Sequence, residues 1–203
     1  MGRPGDFTDL EPTRLGEHML VVPNFLRPEE CQRWVQDVEV GGKLDTVSQK
    51  ATRDFAHRYH KRWQLDNSEV AKLIFERVER FVPPELDSLV PVGVSSNIRL
   101  YKYEQGDAFG PHIDESNESD EGISKFTLLV YLNTVPKGDG GRTVFFSDHR
   151  AKRELTSVQP AIGLLLLHGH GERCLTHEAE GLRRGVKYVL RSDVLYGKEK
   201  KKR

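Results

Sequence analysis

The chain has 203 residues, 36% hydrophobic and 31% charged, which is enough apolar material for one domain's core beneath a highly charged surface. Lys plus Arg and Asp plus Glu balance at 31 each, so there is no broad electrostatic argument for a nucleic-acid or anionic-membrane partner. No run approaches the ~18 apolar residues of a membrane span, the N-terminus lacks an apolar signal segment, and Asp6 breaks the myristoylation pattern after Gly2. The two cysteines, Cys31 and Cys174, cannot form a disulfide framework. A cytoplasmic protein with reduced thiols is expected, with a nuclear location left open and the oligomeric state unspecified.

In chain order, residues 1–16 are polar and read as a loose arm, and 17–93 as an N-terminal helical elaboration. HMLVVPNF (18–25) predicts a short strand. RPEECQRWVQDVEV predicts a helix, with Pro28 and two glutamates in its first turn. Residues 41–67 are polar, basic and aromatic with weak periodicity; they read as a long loop and a candidate lid. SEVAKLIFERVERFV sets Val70, Leu73, Ile74, Val78 and Phe81 at helical spacing, and Pro83-Pro84 ends that helix.

Strand runs follow: 94–103, 125–133, 142–147, 161–169, 173–179 and 186–196, separated by GDAFGP, PKGDGG, GHGE and GLRRG. Gly140-Gly141 is expected to serve a tight hairpin turn. Helices first and strands afterwards predict a mainly β fold with flanking helices, an antiparallel barrel or double-sheet jelly roll. The single domain then has its catalytic part at 94–197 and a solvated basic tail at 198–203.

His112 and Asp114 in FGPHIDES stand two apart, so on an extended chain their side chains share one side and reach one ion. HxD alone is weak evidence, and a third ligand must come from His149, His168, His170 or His177. His177 is preferred, since it follows an apolar strand and precedes Lys187 on the last strand. His168 and His170 lie in what reads as a water-facing turn, and His149 in a solvated loop. Two imidazoles and a carboxylate match the facial triad of non-haem Fe(II) oxygenases. A zinc site using Cys174 ranks below iron, because a closed site wants more thiolates.

The order Tyr103, Gly106, Phe109, His112, Asp114, then KFTLLVYLN, GGRTVFF, His177 with Lys187 ten residues on, and YVLRSDVLY resembles the 2-oxoglutarate- and Fe(II)-dependent dioxygenases of the prolyl 4-hydroxylase-like group. The resemblance covers roughly residues 94 to 196. It implies a double-stranded β-helix, iron held by His112, Asp114 and His177, and 2-oxoglutarate and O2 as cosubstrates, with ascorbate as a reductant. It also implies that Lys187 pairs the distal carboxylate of 2-oxoglutarate, with Tyr103 and Tyr131 as hydrogen-bond donors. The physical reading agrees: Lys187, Val189, Arg191 and Asp193 share one strand face, and an ammonium inside a barrel needs an anion.

The substrate is open at this stage. Arg191 and Asp193 could anchor a polar substrate group or pair with each other. FAHRYHKRW (55–63) could carry lid contacts, and the loop ESNESDEG reads as exposed. The leading expectation is hydroxylation of a protein side chain of prolyl type, or of a free amino acid or small metabolite, with release of succinate and CO2. Nucleic-acid demethylation by the same cofactor class, disfavoured by the balanced charge, and a non-catalytic ligand-binding barrel are the alternatives.

Overall fold

The computed structural model describes residues 10–53 and 55–199, so the expectations for residues 1–9 of the arm and 200–203 of the tail lie outside the described residues. Two helices form where expected, α1 (Pro28–Gly41) and α2 (Ser68–Val78). Pro28 fits the first turn of α1 because its missing N–H would have no partner there. Glu30 accepts from the backbone N–H of Arg27, closing a capping box. Asn67 caps α2 by accepting from Val70 N–H at 3.0 Å. Arg77 and Glu30 join the helices through two hydrogen bonds of 3.0 and 2.7 Å in a buried pair. Leu73, expected in the core, is exposed, and Ala71 is buried in its place.

The strands are β1 (Thr13–Gly16), β2 (Met19–Val22), β3 (Asp45–Gln49), β4 (Arg58–Asp66), β5 (Val90–Val94), β6 (Asn97–Tyr103) and β7 (Ala108–His112), followed by β8 (Glu118–Ser119) and β9 (Gly122–Tyr131). The rest are β10 (Thr143–Phe146), β11 (Glu154–Val158), β12 (Leu165–Gly169), β13 (His177–Ala179) and β14 (Lys187–Gly197). β12, β9, β14 and β6 lie side by side, as do β7, β13, β10 and β11. β4 pairs with both β6 and β7 and so links the two groups. The groups touch across an interior where the Tyr131 and Thr143 hydroxyls hydrogen-bond at 2.7 Å. This is the double-stranded β-helix, with both helices outside it.

Alternation decides what faces where. Leu128 and Val130 of β9, Leu190 and Val194 of β14, and Leu165 and Leu167 of β12 pack with Phe25, Cys31, Val38, Ile74 and Val78 beneath the helices. Each such side chain contributes ~1.5–3 kcal/mol by leaving water. The odd-numbered residues, Thr127 and Leu129, and Lys187, Val189 and Arg191, turn to the other face and line the interior, where Tyr131 reaches Thr143.

Three expectations are corrected. Residues 41–67 are not a loop: β3 and β4 pair with each other, and β4 continues into the sheet. Their apolar pattern is weak because His60, on the covered face of β4, is polar yet fully buried. Part of the arm is also ordered, since β1 pairs with β2. Gly140-Gly141 does not turn a hairpin, because β9 and β10 belong to different strand groups. Gly140 (φ +78°) instead lets the chain pass close to the next connection, where a Cβ would sit 2.2 Å from the Gly181 carbonyl oxygen.

Candidate active site

The register of β13 on β7 sets His177 directly across from His112. Pro111, which has no N–H to give a ladder, interrupts that pairing, and the register shifts between His177 and Ala179. Two bonds fix the imidazoles. His112 Nδ1–H donates to Gly110 O at 2.8 Å, and His177 Nδ1–H donates to Leu175 O at 2.9 Å. A carbonyl only accepts, so both rings carry their proton on Nδ1 and turn the Nε2 lone pair inward. Burial, followed by repulsion between the rings, lowers His112 to about 3, and burial lowers His177 as well; both are neutral and able to ligate.

Asp114 lies between them, 3.7 Å (Oδ1) from His112 Nε2 and 3.6 Å (Oδ2) from His177 Nε2. Burial alone would raise its carboxyl. The Arg191 guanidinium, 3.0 Å from Oδ1, outweighs burial and holds it well below the usual carboxylate range. Thr127 donates to Oδ2 at 2.7 Å; His170 Nε2 then donates to Thr127 Oγ1 at 2.7 Å, and Ser124 lies 3.1 Å from His170 Nδ1. One ligand atom from each of His112, Asp114 and His177 falls within 4.8 Å of the other two. Two neutral imidazoles and one carboxylate are a donor set that suits Fe(II) and leave coordination positions open.

A second group, His168, Cys174 and His177, meets the same spacing. Cys174 Sγ lies 3.7 Å from His177 Nδ1, the atom already donating to Leu175 O, and burial pushes its thiol up to about 12. The thiol instead accepts from Asp114 N–H at 3.3 Å, a structural support. His168 and His170 are buried rather than water-facing, which corrects the expectation for both. His168 completes β12, and the alternation Leu166, His168 already points the ring inward. His149 is exposed, as expected.

Lys187 and Tyr103 line the same cavity as the three ligands, and Tyr131 lies just behind that lining, its ring 5.8 Å from the Lys187 ammonium and its hydroxyl bonded to Thr143. Register again explains this: Lys187 pairs with Tyr103 across β14 and β6, and Val189 with Tyr131 across β14 and β9. Lys187 is fully buried and donates to Gly141 O at 2.7 Å, so the glycine pair touches the site directly. Burial lowers its ammonium to about 7. Burial raises both tyrosine phenols, which therefore stay protonated donors. Arg191 also lines the cavity, whereas Asp193 lies outside its lining and is paired with Arg99. Sequence reasoning passed over Tyr101, Thr143 and His168 in this lining, and Phe109, seen only as packing, stacks on His112 at 3.6 Å between ring centres. Strand alternation was the signal for Tyr101 and His168.

Residues 98–192 match the model of the 2OG-Fe(II) oxygenase superfamily. The matched stretch carries His112, Asp114, His177 and Lys187, so the part of the chain that builds the site is similar to the 2-oxoglutarate- and Fe(II)-dependent dioxygenases. A viral collagen prolyl hydroxylase of Paramecium bursaria Chlorella virus-1, in complex with 2-oxoglutarate, is similar in structure (TM-score 0.62, 16% identity, covering 88% of this chain and 96% of that one). So is a prolyl-4-hydroxylase of Pseudomonas putida (TM-score 0.58, 18% identity, 88% and 94% covered). A Trichoplax adhaerens prolyl hydroxylase bound to a hypoxia inducible factor peptide fragment has a TM-score of 0.63 at 17% identity, with 88% and 83% covered. No curated protein matches the chain. Among the described residues, no helix is long and apolar enough to cross a membrane.

Proposed function

We propose that this chain hydroxylates a C–H bond of a protein side chain of prolyl type, consuming 2-oxoglutarate and O2 and releasing succinate and CO2. The observation that carries the reading is the convergence of His112, Asp114, His177 and Lys187 on one cavity. In this reading His112, Asp114 and His177 hold Fe(II). With 2-oxoglutarate and O2, the iron supplies the oxidative decarboxylation and the oxygen delivered to the C–H bond.

The chain's own groups do the positioning. Among the described residues Lys187 has one carbonyl acceptor, Gly141 O, and no ion-pair partner, so in this reading it takes the distal carboxylate of 2-oxoglutarate. Tyr103 and Tyr131, whose rings lie 4.9 and 5.8 Å from the Lys187 ammonium, flank the same spot; in this reading their hydroxyls are the donors there, that of Tyr131 from its bond with Thr143. Arg191 neutralises Asp114 on the side away from Thr127 and stands at the cavity wall, where it is the substrate-side cation. Asp193 acts by holding Arg99 rather than by touching substrate.

The test is succinate formation by purified protein with Fe(II), ascorbate and 2-oxoglutarate, against a panel of prolyl peptides, free amino acids and N-methylated oligonucleotides. Stimulation by prolyl peptides, with product mass increased by one oxygen, supports the reading. Stimulation confined to another member of the panel refutes the prolyl assignment. Absence of iron-dependent succinate under every condition refutes the oxygenase activity.

A further inference from the structure

One buried group of the cavity has no part in that scheme. His168 is 2% exposed, lines the cavity, and its Nε2 has no hydrogen-bond partner among the described residues. That nitrogen stands 3.7 Å from Asp114 Oδ2, too far for a hydrogen bond and close enough to face whatever binds beside the carboxylate. The ring is braced edge-on against Phe145, 5.3 Å between centres, and His177, 4.5 Å. Its backbone is held in register with Thr127 across β12 and β9.

His168 also differs from the two ligand imidazoles. Their Nδ1 atoms are committed to carbonyls at 2.8 and 2.9 Å. The Nδ1 of His168 has only its neighbour's carbonyl, Gly169 O, at 3.4 Å and Cys174 Sγ at 4.0 Å. Its proton is therefore free to reside on Nε2. An N–H directed at a carboxylate in a low-dielectric interior is favourable, while a lone pair in that place is repelled. The site thus presents a preorganised donor whose acceptor the chain does not supply. A buried donor left unmatched costs about 1–3 kcal/mol, and such groups concentrate where a ligand completes the bond.

We propose that His168 is a positioning residue whose Nε2–H donates to the metal-side carboxylate of the bound 2-oxo acid. It would anchor the end of the cosubstrate opposite the one held by Lys187, so that the two residues together fix its orientation in the cavity. This rests on the 2-oxoglutarate reading above. The chemistry recognised is a carboxylate adjacent to the keto group; a ligand lacking that carboxylate gains nothing from His168.

The experiment is anaerobic calorimetry on the Mn(II)-loaded protein, with 2-oxoglutarate and with 4-oxopentanoate, which keeps the keto oxygen and the distal carboxylate only. Because the same ring divides the cavity from a second one lined by Leu15, Met19 and Leu175, an alanine would join the two spaces. His168→Phe, which keeps the partition, and His168→Gln, which keeps an N–H donor, are therefore the variants to use.

His168→Phe is expected to weaken 2-oxoglutarate binding by about tenfold or more, as loss of a hydrogen bond to a charged group does. Its Mn(II) affinity without cosubstrate and its 4-oxopentanoate affinity should stay at wild-type values, and His168→Gln should recover most of the loss. An equal loss for both ligands, a matching loss of Mn(II) affinity, or His168→Gln behaving like His168→Phe overturns the proposal. If wild-type Mn(II) protein binds no 2-oxoglutarate at all, the cosubstrate reading itself has failed instead.

Discussion

Lys187 stands in the cavity with a single acceptor, Gly141 O, and its ammonium is lowered by burial from 10.5 to about 7. Below pH 7 it is charged in both folded and unfolded chains. Between there and the unfolded value the unfolded chain binds the extra proton, so this group makes the ligand-free fold more stable as pH rises, by about 1.4 kcal/mol per unit at most. Binding a dicarboxylate requires the protonated form, so 2-oxoglutarate affinity is predicted to fall about tenfold per pH unit above neutrality. Lys187→Arg, whose guanidinium does not deprotonate, should flatten that dependence in calorimetric titrations from pH 6.5 to 9. His177→Ala should abolish the rise in Tm that Mn(II) gives the wild type while leaving the far-UV spectrum unchanged. The triad and Lys187 could be read from the sequence because their spacing reports strand alternation and a recurring motif order. Gly110 O and Leu175 O, which set the tautomers, could not, since any residue supplies a carbonyl.

Among the elements, both helices and the apolar strands β6, β9, β10, β12 and β14 were legible, because their hydrophobic residues follow the period of the structure they form, whereas the polar β11 was not expected and β7 runs through GDAFGP, which read as a turn. β4 was missed for a physical reason. His60 is buried against Tyr101 and Tyr103, at 4.7 and 5.0 Å between ring centres, so the interior of this strand is written in polar letters. The same polarity makes a functional cavity look like a loop. The link between β9 and β10 yields a prediction. Gly140→Ala would drive a Cβ into Gly181 O and shift the adjoining Gly141 carbonyl that holds Lys187. Weaker 2-oxoglutarate binding with unchanged Mn(II) affinity is expected, and calorimetry checks it. Between the helices, Arg77→Met takes the guanidinium from the largely buried Glu30 carboxylate. Chemical denaturation should show a loss of about 3–5 kcal/mol, with the metal site still competent at low temperature.

At the scale of the whole molecule, two interior pairs are charge-matched, Asp114 with Arg191 and Asp193 with Arg99, while the buried Lys187 is held by a carbonyl alone, so the cavity walls are built before any ligand enters. Ligands then add stability by mass action, about 2.7 kcal/mol at a hundred times their dissociation constant. Where that stability is felt follows from the strand register. β13 is three residues long, and its first rung on β7 is the His177–His112 pair, beside a shifted register. An ion shared by those two side chains would work as a clasp across a two-rung seam of the fold. Chelation should therefore speed amide hydrogen exchange first in 108–112 and 174–179, well before β9 and β14 respond. The ion that equips the chain for chemistry would then also act as the rivet that keeps this three-residue strand from peeling away.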